Sequence, residues 1–132
     1  MANLKKGFKQ LLTEANAVIE TVSVADALQV HGDDDVVFVD IRDSLERERT
    51  GAIQGSIHAP RGVLEFIADP EGPMHNPALS RGKRIVLYCA SGGRSTLAAK
   101  TLLDMGLDEV CHMAGGFAAW QQAGGPVEKV ES

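Results

Sequence analysis

The stretch LYCASGGRST, residues 87–96, holds the residue types that suit nucleophilic chemistry. Cys89 ends a short apolar run, and a small, glycine-rich loop then leads to Arg94. A cysteine in such a position is more often a buried core residue than a nucleophile. The loop favours the nucleophile, because the backbone N–H groups of a permissive turn can converge on one anion. Arg94 adds a planar, permanently charged fork that suits an oxyanion, although the alternative for Arg94 is a surface ion pair.

A helix is predicted to start near Arg94 and Ser95, and its positive N-terminal end faces the loop. A thiolate at Cys89 is therefore expected to be stabilised, with a lowered pKa and a nucleophilic sulfur at neutral pH. Cys89 is our candidate catalytic residue. The expected anion-binding loop consists of Ala90, Ser91, Gly92, Gly93, Arg94 and Ser95.

The elements that position this loop alternate between strands and helices. Continuous apolar runs at 36–40 and 84–89, with a weaker one at 109–113, are typical of strands buried on both faces. Residues 56–60 are a candidate for a short extra strand that Pro60 ends. Helical patterns follow at 95–106 and 117–125, and Trp120 takes a core-facing position in the second. This order predicts a single α/β domain with a mainly parallel central sheet of four to five strands, flanked by helices on both faces.

The N-terminal segment has apolar residues at helical spacing over 4–19, with lysines mostly on the other side. We expect residues 1–20 to form a helical extension and residues 21–132 the α/β domain. The extension is predicted to pack on the domain, and a partner-binding or dimerising helix is the alternative. Residues 68–83 are expected to form an irregular surface loop, since they hold three prolines.

Composition excludes several classes of function. The 132 residues carry a formal net charge of -5 and no long basic face, which argues against nucleic acid as a partner. No apolar stretch approaches the roughly 18 residues that a membrane span requires. The first residues lack the apolar core of a signal peptide, so we expect a reducing cytoplasm in which a free thiol survives. The four histidines and two cysteines show no metal-ligand spacing, and no metal site is predicted.

Three segments in order resemble the rhodanese superfamily of sulfurtransferases. The pattern Cys-x-x-Gly-x-Arg-Ser, starting at Cys89, is similar to the active-site loop of that family. VFVDIRD at 37–43, followed by GAIQGSIHAP at 51–60, resembles the early Asp-x-Arg strand end and the Gly-x-Ile-x-Gly-Ala turn of the family. MAGGFAAW at 113–120 resembles the late Gly-Gly-x-x-x-Trp element. The N-terminal helix lies outside this resemblance.

The resemblance implies a two-step sulfur relay without a metal or an organic cofactor. The Cys89 thiolate would take the outer sulfur of a donor such as thiosulfate and hold it as a persulfide. Cyanide, a thiol or a protein acceptor would then remove that sulfur. Arg94, and with it Arg61, would steer the anionic donor.

Two other functions remain open beside the enzyme. One is a sulfur-carrier or regulatory module on the same fold, which would hand sulfur to a protein or sense through Cys89. The other is a cysteine phosphatase or an arsenate reductase. Those relatives place five residues between cysteine and arginine, whereas four lie between Cys89 and Arg94, so the loop length disfavours this chemistry.

The remaining candidates are mostly expected to support the site. Asp40 and Arg42 are interpreted as an ion-pair network with residues such as Glu46, rather than as part of the active-site wall. His58 is a candidate residue of the substrate pocket, and a purely structural role is an equal alternative. Arg61 is a better candidate than His58 for binding an anionic substrate.

Cys111 and His112 are neighbours in a predicted strand, so their side chains are expected to face opposite sides of the sheet. Cys111 is interpreted as a buried residue that takes no part in the reaction. The alternative is a thiol that resolves an oxidised Cys89.

Overall fold

The computed structural model describes residues 3–131, in which strands and helices alternate along the chain. The helices are α1 Phe8–Asn16, α2 Val24–Val30, α3 Ser44–Thr50, α4 Leu64–Ala68, α5 Gly93–Asp104 and α6 Gly116–Gln122. The strands are β1 Glu20–Val22, β2 Val36–Asp40, β3 Ala52–Ile53, β4 Ile57–His58, β5 Arg84–Tyr88, β6 Val110–Met113 and β7 Val127–Glu128. Short 3-10 turns occupy Arg61–Val63 and Pro77–Ser80.

The central sheet has five strands in the order β1-β6-β5-β2-β4, and each neighbouring pair is parallel. Strands β2 and β5 pair in register from Val36 opposite Arg84 to Asp40 opposite Tyr88. Asp40 and the residue before Cys89 therefore lie side by side at the carboxyl edge of the sheet, where ligand sites of such sheets collect. The predicted α/β architecture with a mainly parallel sheet is confirmed.

Both faces of the sheet are covered by helices, as predicted. Helices α4 and α5 bury Leu64, Ile67 and Leu102 on one face, in the cluster that includes Cys89. Helices α2 and α6 bury Ala27, Phe117 and Trp120 on the other face. Trp120 is fully buried, and its indole N–H donates to the Pro126 carbonyl oxygen at 2.9 Å. Burial of the sheet on both faces explains the unbroken apolar runs of β2 and β5.

The N-terminal helix is shorter than its apolar pattern predicts. Helix α1 begins after Gly7, which has extended backbone, and ends at Asn16, so that the chain can enter the edge strand β1. It lies against α5 but fully buries only Ala15, and Leu4 and Phe8 stay exposed. The division into an extension at 1–20 and a domain at 21–132 stays a prediction. Within residues 3–131 no helix has the length and apolar character to cross a membrane.

Candidate functional site

The cysteine loop joins the end of β5 to the start of α5. Cys89 directly follows the last residue of β5 and is 1% exposed, whereas Ser91, Gly93 and Arg94 are exposed. Gly92 takes the N-cap position of α5 with φ of +119°, a left-handed conformation that favours glycine. The turn therefore needs a glycine there, and it brings the first N–H groups of α5 onto the Cys89 sulfur.

The Cys89 sulfur lies among hydrogen-bond donors. The Gly92 N–H donates to Cys89 Sγ at 3.1 Å, and the Ser95 hydroxyl oxygen lies 3.6 Å from the same sulfur. Burial of Cys89 raises the pKa of its thiol, but hydrogen bonds from Ser95, Gly92 and Ser91 outweigh burial and lower that pKa. The loop is thus arranged to stabilise negative charge on this sulfur.

Helix α6 holds the loop from its outer side. The Phe117 N–H donates to the Cys89 carbonyl oxygen at 2.8 Å, and the Ala118 N–H donates to that of Ala90 at 3.1 Å. Gly116 has φ of +60°, and a Cβ there would lie 2.5 Å from the Cys89 carbonyl oxygen. Because α6 binds these carbonyl groups, the N–H groups of the loop are free to turn inward. The Gly-Gly-x-x-x-Trp element at 113–120 carries this contact, which residue types alone did not indicate.

Asp40 and Arg42 form a buried network beside the loop. The Arg42 guanidinium donates to both Asp40 carboxylate oxygens, to the Thr50 hydroxyl at 2.8 Å and to the Gly51 carbonyl at 2.7 Å. The Tyr88 hydroxyl donates to Asp40 at 2.9 Å. The guanidinium carbon of Arg42 also lies 4.3 Å from the centre of the Phe117 ring. The pair therefore ties β2 and β5 to the elements on either side. Its supporting role stays a prediction, because Arg42 also lines the cavity beside the loop.

Glu46 does not join that network, contrary to the prediction. The second cation at Asp40 is Arg47, with Nη1 3.4 Å from a carboxylate oxygen. Glu46 instead accepts two hydrogen bonds from the Arg94 guanidinium, both at 2.8 Å. The hydrogen bonds from Arg94 lower the pKa of Glu46 to about 2, and the same contact raises the pKa of Arg94. Arg94 thus lies at the mouth of the loop with its fork held by a carboxylate.

The side chains of Arg61 and His58 form no hydrogen bond with the loop at 89–95 in the described part of the chain. The Arg61 guanidinium donates to Glu65 at 2.9 Å and to Thr101 at 3.3 Å, two turns into α5. His58 Nε2 lies 2.7 Å from the Arg42 carbonyl oxygen, on the short strand β4 at the sheet edge. Their roles in a substrate pocket stay predictions that this placement does not support, and His58 fits the structural alternative.

A cavity of about 220 Å³ borders the loop at Ala90. Its other walls include Phe117 and Gln121 of α6 and Arg49 and Thr50 of α3. This volume is below the range of about 300–1,000 Å³ that is usual for sites of drug-sized ligands. The opening beside the loop therefore suits a small substrate. Within residues 3–131, no three His, Cys, Asp or Glu side chains are grouped to hold a metal ion.

Comparison with known proteins places this site in a family. The sequence model of the rhodanese-like domain matches residues 23–123. The thiosulfate sulfurtransferase GlpE of Pseudoalteromonas translucida is 33% identical over 111 residues, which cover 83% of this chain and 94% of that protein. An uncharacterized Synechocystis protein, slr1261, is 32% identical over 112 residues, which cover 85% of this chain. The matched part spans only 58% of that relative's length.

A solved structure from Rhodopseudomonas palustris CGA009 is more similar in sequence. It is 52% identical, superposes with a TM-score of 0.93, and covers 97% of this chain and 98% of that chain. It is described as a protein of unknown function and possible tyrosine phosphatase. The family match includes the β2 end, the cysteine loop and the start of α6, the three segments that build the site described above. The chain belongs to the rhodanese-like domain family.

Proposed function

We propose that the protein is a sulfurtransferase that carries a sulfane sulfur on Cys89 as a persulfide. The donor is a small anion such as thiosulfate, and the acceptor is cyanide or a thiol. The observation that carries this proposal is the environment of the Cys89 sulfur, which receives the Gly92 N–H at 3.1 Å and has a lowered pKa despite burial. The sulfurtransferase named among the relatives supports it.

The proposed relay has two balanced steps. The Cys89 thiolate attacks the outer sulfur of thiosulfate, a new S–S bond forms, and sulfite leaves with the electron pair of the old S–S bond. Cyanide then attacks the terminal sulfur, thiocyanate leaves, and the Cys89 thiolate returns. The N–H groups at the start of α5 stabilise the thiolate and the persulfide anion in turn, so neither step needs a cofactor.

In this proposal Arg94 recruits the anionic donor at the mouth of the loop. Its guanidinium is exposed enough to be reached, since 44% of the side chain is accessible. An incoming anion must compete with the Glu46 carboxylate for the same fork. The donor must therefore displace Glu46 from the Arg94 guanidinium before it can bind there.

A tyrosine phosphatase is the second candidate, because the 52% identical structure is described as a possible one. Such chemistry needs a loop that surrounds a tetrahedral phosphate and an arginine fork free to bind its oxygens. Here four residues separate Cys89 from Arg94, and the fork is occupied by Glu46. The short loop favours sulfur transfer over phosphate hydrolysis, whereas the occupied fork affects every anionic substrate alike.

One pair of assays separates these functions. Thiocyanate formation from thiosulfate and cyanide is measured beside hydrolysis of p-nitrophenyl phosphate, with the wild type and the Cys89→Ala variant. We expect thiocyanate formation that Cys89→Ala abolishes, and no phosphate release above that of the variant. Cys89-dependent phosphate release without thiocyanate formation would overturn the proposal.

A sulfur-carrier module would behave differently in the same assays. It would accept sulfur on Cys89 but pass it slowly to cyanide and rapidly to a protein thiol. We propose small-molecule turnover as the primary activity, because the cavity beside Ala90 admits small acceptors. A thiolate-based relay of this kind also requires a reducing compartment, and we propose the cytoplasm.

A further inference from the structure

His112 is a buried titratable residue directly behind the cysteine loop, and the relay above gives it no role. It lies on β6, is 5% exposed, and faces α5 rather than the side of the sheet on which Cys111 lies. Its Cε1 atom is 3.9 Å from the position that a Cβ on Gly92 would take. The imidazole is thus in contact with the turn that holds the Cys89 sulfur.

A chain of hydrogen bonds connects His112 to the thiol. His112 Nδ1 lies 2.9 Å from the Ser95 hydroxyl oxygen, and that oxygen lies 3.6 Å from Cys89 Sγ. The Ser95 hydroxyl has a single hydrogen, which can go either to the Gly92 carbonyl oxygen at 3.1 Å or to His112 Nδ1 at 2.9 Å. Because the Thr96 hydroxyl already donates to that carbonyl oxygen, the Ser95 hydrogen is available to His112, and a lone pair of Ser95 Oγ can accept from the Cys89 thiol. Ser95 is fully buried, which keeps water out of this chain.

The contact with Thr96 favours one tautomer of the His112 imidazole. The Thr96 hydroxyl donates to the Gly92 carbonyl oxygen at 2.8 Å, so toward His112 Nε2, 3.4 Å away, it offers only a lone pair. We therefore assign the hydrogen of the neutral imidazole to Nε2, which leaves Nδ1 as an acceptor for the Ser95 hydroxyl. Burial lowers the pKa of His112, so this neutral form prevails at neutral pH.

We propose that His112 accepts the proton of the Cys89 thiol through the Ser95 hydroxyl. The S–H bond breaks as the hydrogen passes to Ser95 Oγ, while the original Ser95 hydrogen passes to His112 Nδ1. The product is a thiolate that accepts a hydrogen bond from Ser95, and an imidazolium that donates to Ser95. This deepens the proposed function and rests on it, with His112 as a positioning residue that acts through Ser95.

The surroundings of His112 contain one titratable partner for this exchange. On α5 it contacts Ser95 and Thr96, and through Ser95 it reaches Cys89, the one titratable group among these three. The residues opposite His112 on the two adjacent strands, Thr21 and Leu87, carry no charge. Among residues 3–131, His112 forms no ion pair. Cys89 is therefore the group to which we expect protonation of His112 to be coupled.

The test is the alkylation of Cys89 by iodoacetamide, which needs no sulfur donor and so is independent of the proposed relay. The background is Cys111→Ala, which leaves one thiol. His112→Asn keeps a hydrogen-bonding group near Nδ1 but cannot hold a proton. At pH 7 we expect about tenfold slower alkylation, equivalent to a rise of about one unit in the pKa of Cys89. The rate at high pH should not change.

Ser95→Ala distinguishes a relay from a merely structural role. If His112 acts through Ser95, the double variant should react no more slowly than the slower single variant. Unchanged alkylation in His112→Asn, or effects that multiply in the double variant, would overturn the proposal.

A second measurement needs no substitution at His112. Imidazole ¹⁵N shifts of the Cys111→Ala protein are compared with those of the variant that also carries Cys89→Ala. We expect the Nε2–H tautomer when Cys89 is absent and a higher pKa of His112 when the Cys89 thiolate is present. The same pKa in both proteins would contradict the proposed coupling.

Discussion

The two cysteines of this protein have similar burial, but their thiol pKa values shift in opposite directions. Cys89 is 1% exposed at the end of β5, and Cys111 is fully buried within the adjacent strand β6. Burial raises the pKa of the Cys111 thiol, whereas the pKa of Cys89 is lowered against the same effect. Depth in the protein therefore does not decide in which direction a thiol pKa shifts.

Their surroundings account for the difference. Cys89 leaves the regular strand and meets the N–H groups of a helix start, while Cys111 stays within the ladder of β6 and packs in the apolar cluster that includes Phe38 and Trp120. The two side chains belong to clusters on opposite faces of the sheet. A disulfide between them would require the sheet to open, so the alternative of Cys111 as a resolving thiol has no structural support.

We expect the largest effect on activity when each cysteine is replaced by alanine in a separate variant. Cys89→Ala should reduce thiosulfate:cyanide sulfurtransferase activity by roughly a thousandfold or more, since it removes the nucleophile. Cys111→Ala should stay within about twofold of the wild type, because that side chain has no contact with the loop. Steady-state kinetics of both purified variants test this, and equal losses would remove the distinction between the two cysteines.

We expect the next largest difference between the two cysteines in the pH at which iodoacetamide alkylates them. A lowered pKa leaves more thiolate at neutral pH, so Cys89 in the Cys111→Ala protein should reach its half-maximal rate with iodoacetamide below the usual thiol value of about 8.5. Cys111 in the Cys89→Ala protein should react only at higher pH or after unfolding. Rates across pH 5–10 check both expectations. A midpoint for Cys89 at or above that of a free thiol would contradict the stabilising role of the loop.

A substitution at Gly116 tests whether the contact between α6 and the cysteine loop is needed to lower the pKa of Cys89. Gly116→Ala places a Cβ against the Cys89 and Ala90 carbonyl groups and should cost about 2 kcal/mol or more in the free energy of unfolding. It should also slow alkylation of Cys89 by about tenfold. Gly124→Ala is the matched control, since its φ of +77° imposes similar strain but its Cβ meets nothing within 4 Å. Equal alkylation rates in the two variants would show that the α6 contact does not tune the thiol.

The smallest expected effect concerns the charge pair near Cys89. Arg94→Ala should raise the KM for thiosulfate several-fold with little change for an uncharged persulfide donor. Glu46→Gln should lower that KM, because it releases the guanidinium without removing the polar partner of Asp43 in the cap of α3. The comparison of charged and uncharged donors is the measurement. An unchanged KM for thiosulfate in both variants would contradict the proposed role of Arg94 in binding the donor.

Much of this architecture was predictable from local patterns. The runs at 36–40 and 84–89 predicted the two central strands because burial on both faces leaves no polar alternation. Serine is a preferred N-cap residue, and the Ser23 hydroxyl accepts from the Asp26 N–H at 3.0 Å at the start of α2. The cysteine loop was identified because its glycines, arginine and helix start are contiguous in sequence.

Contacts between distant segments were not predictable in the same way. The Arg94–Glu46 pair joins residues 48 positions apart, and the Ser95–His112 hydrogen bond joins residues 17 apart. The exposed Leu4 and Phe8 show the same gap, since an apolar stripe indicates a helix but not what covers it. The two-residue strands β3 and β7 pair across the domain and are too short to leave a periodic pattern.

The claim that Cys89 alone carries sulfur is tested most directly by intact mass. The Cys111→Ala and Cys89→Ala proteins are incubated with thiosulfate, freed of excess donor and measured before and after addition of cyanide. We predict a gain of one sulfur atom in Cys111→Ala that cyanide removes, and no gain in Cys89→Ala. Sulfur uptake by Cys89→Ala, or none by Cys111→Ala, would contradict the account.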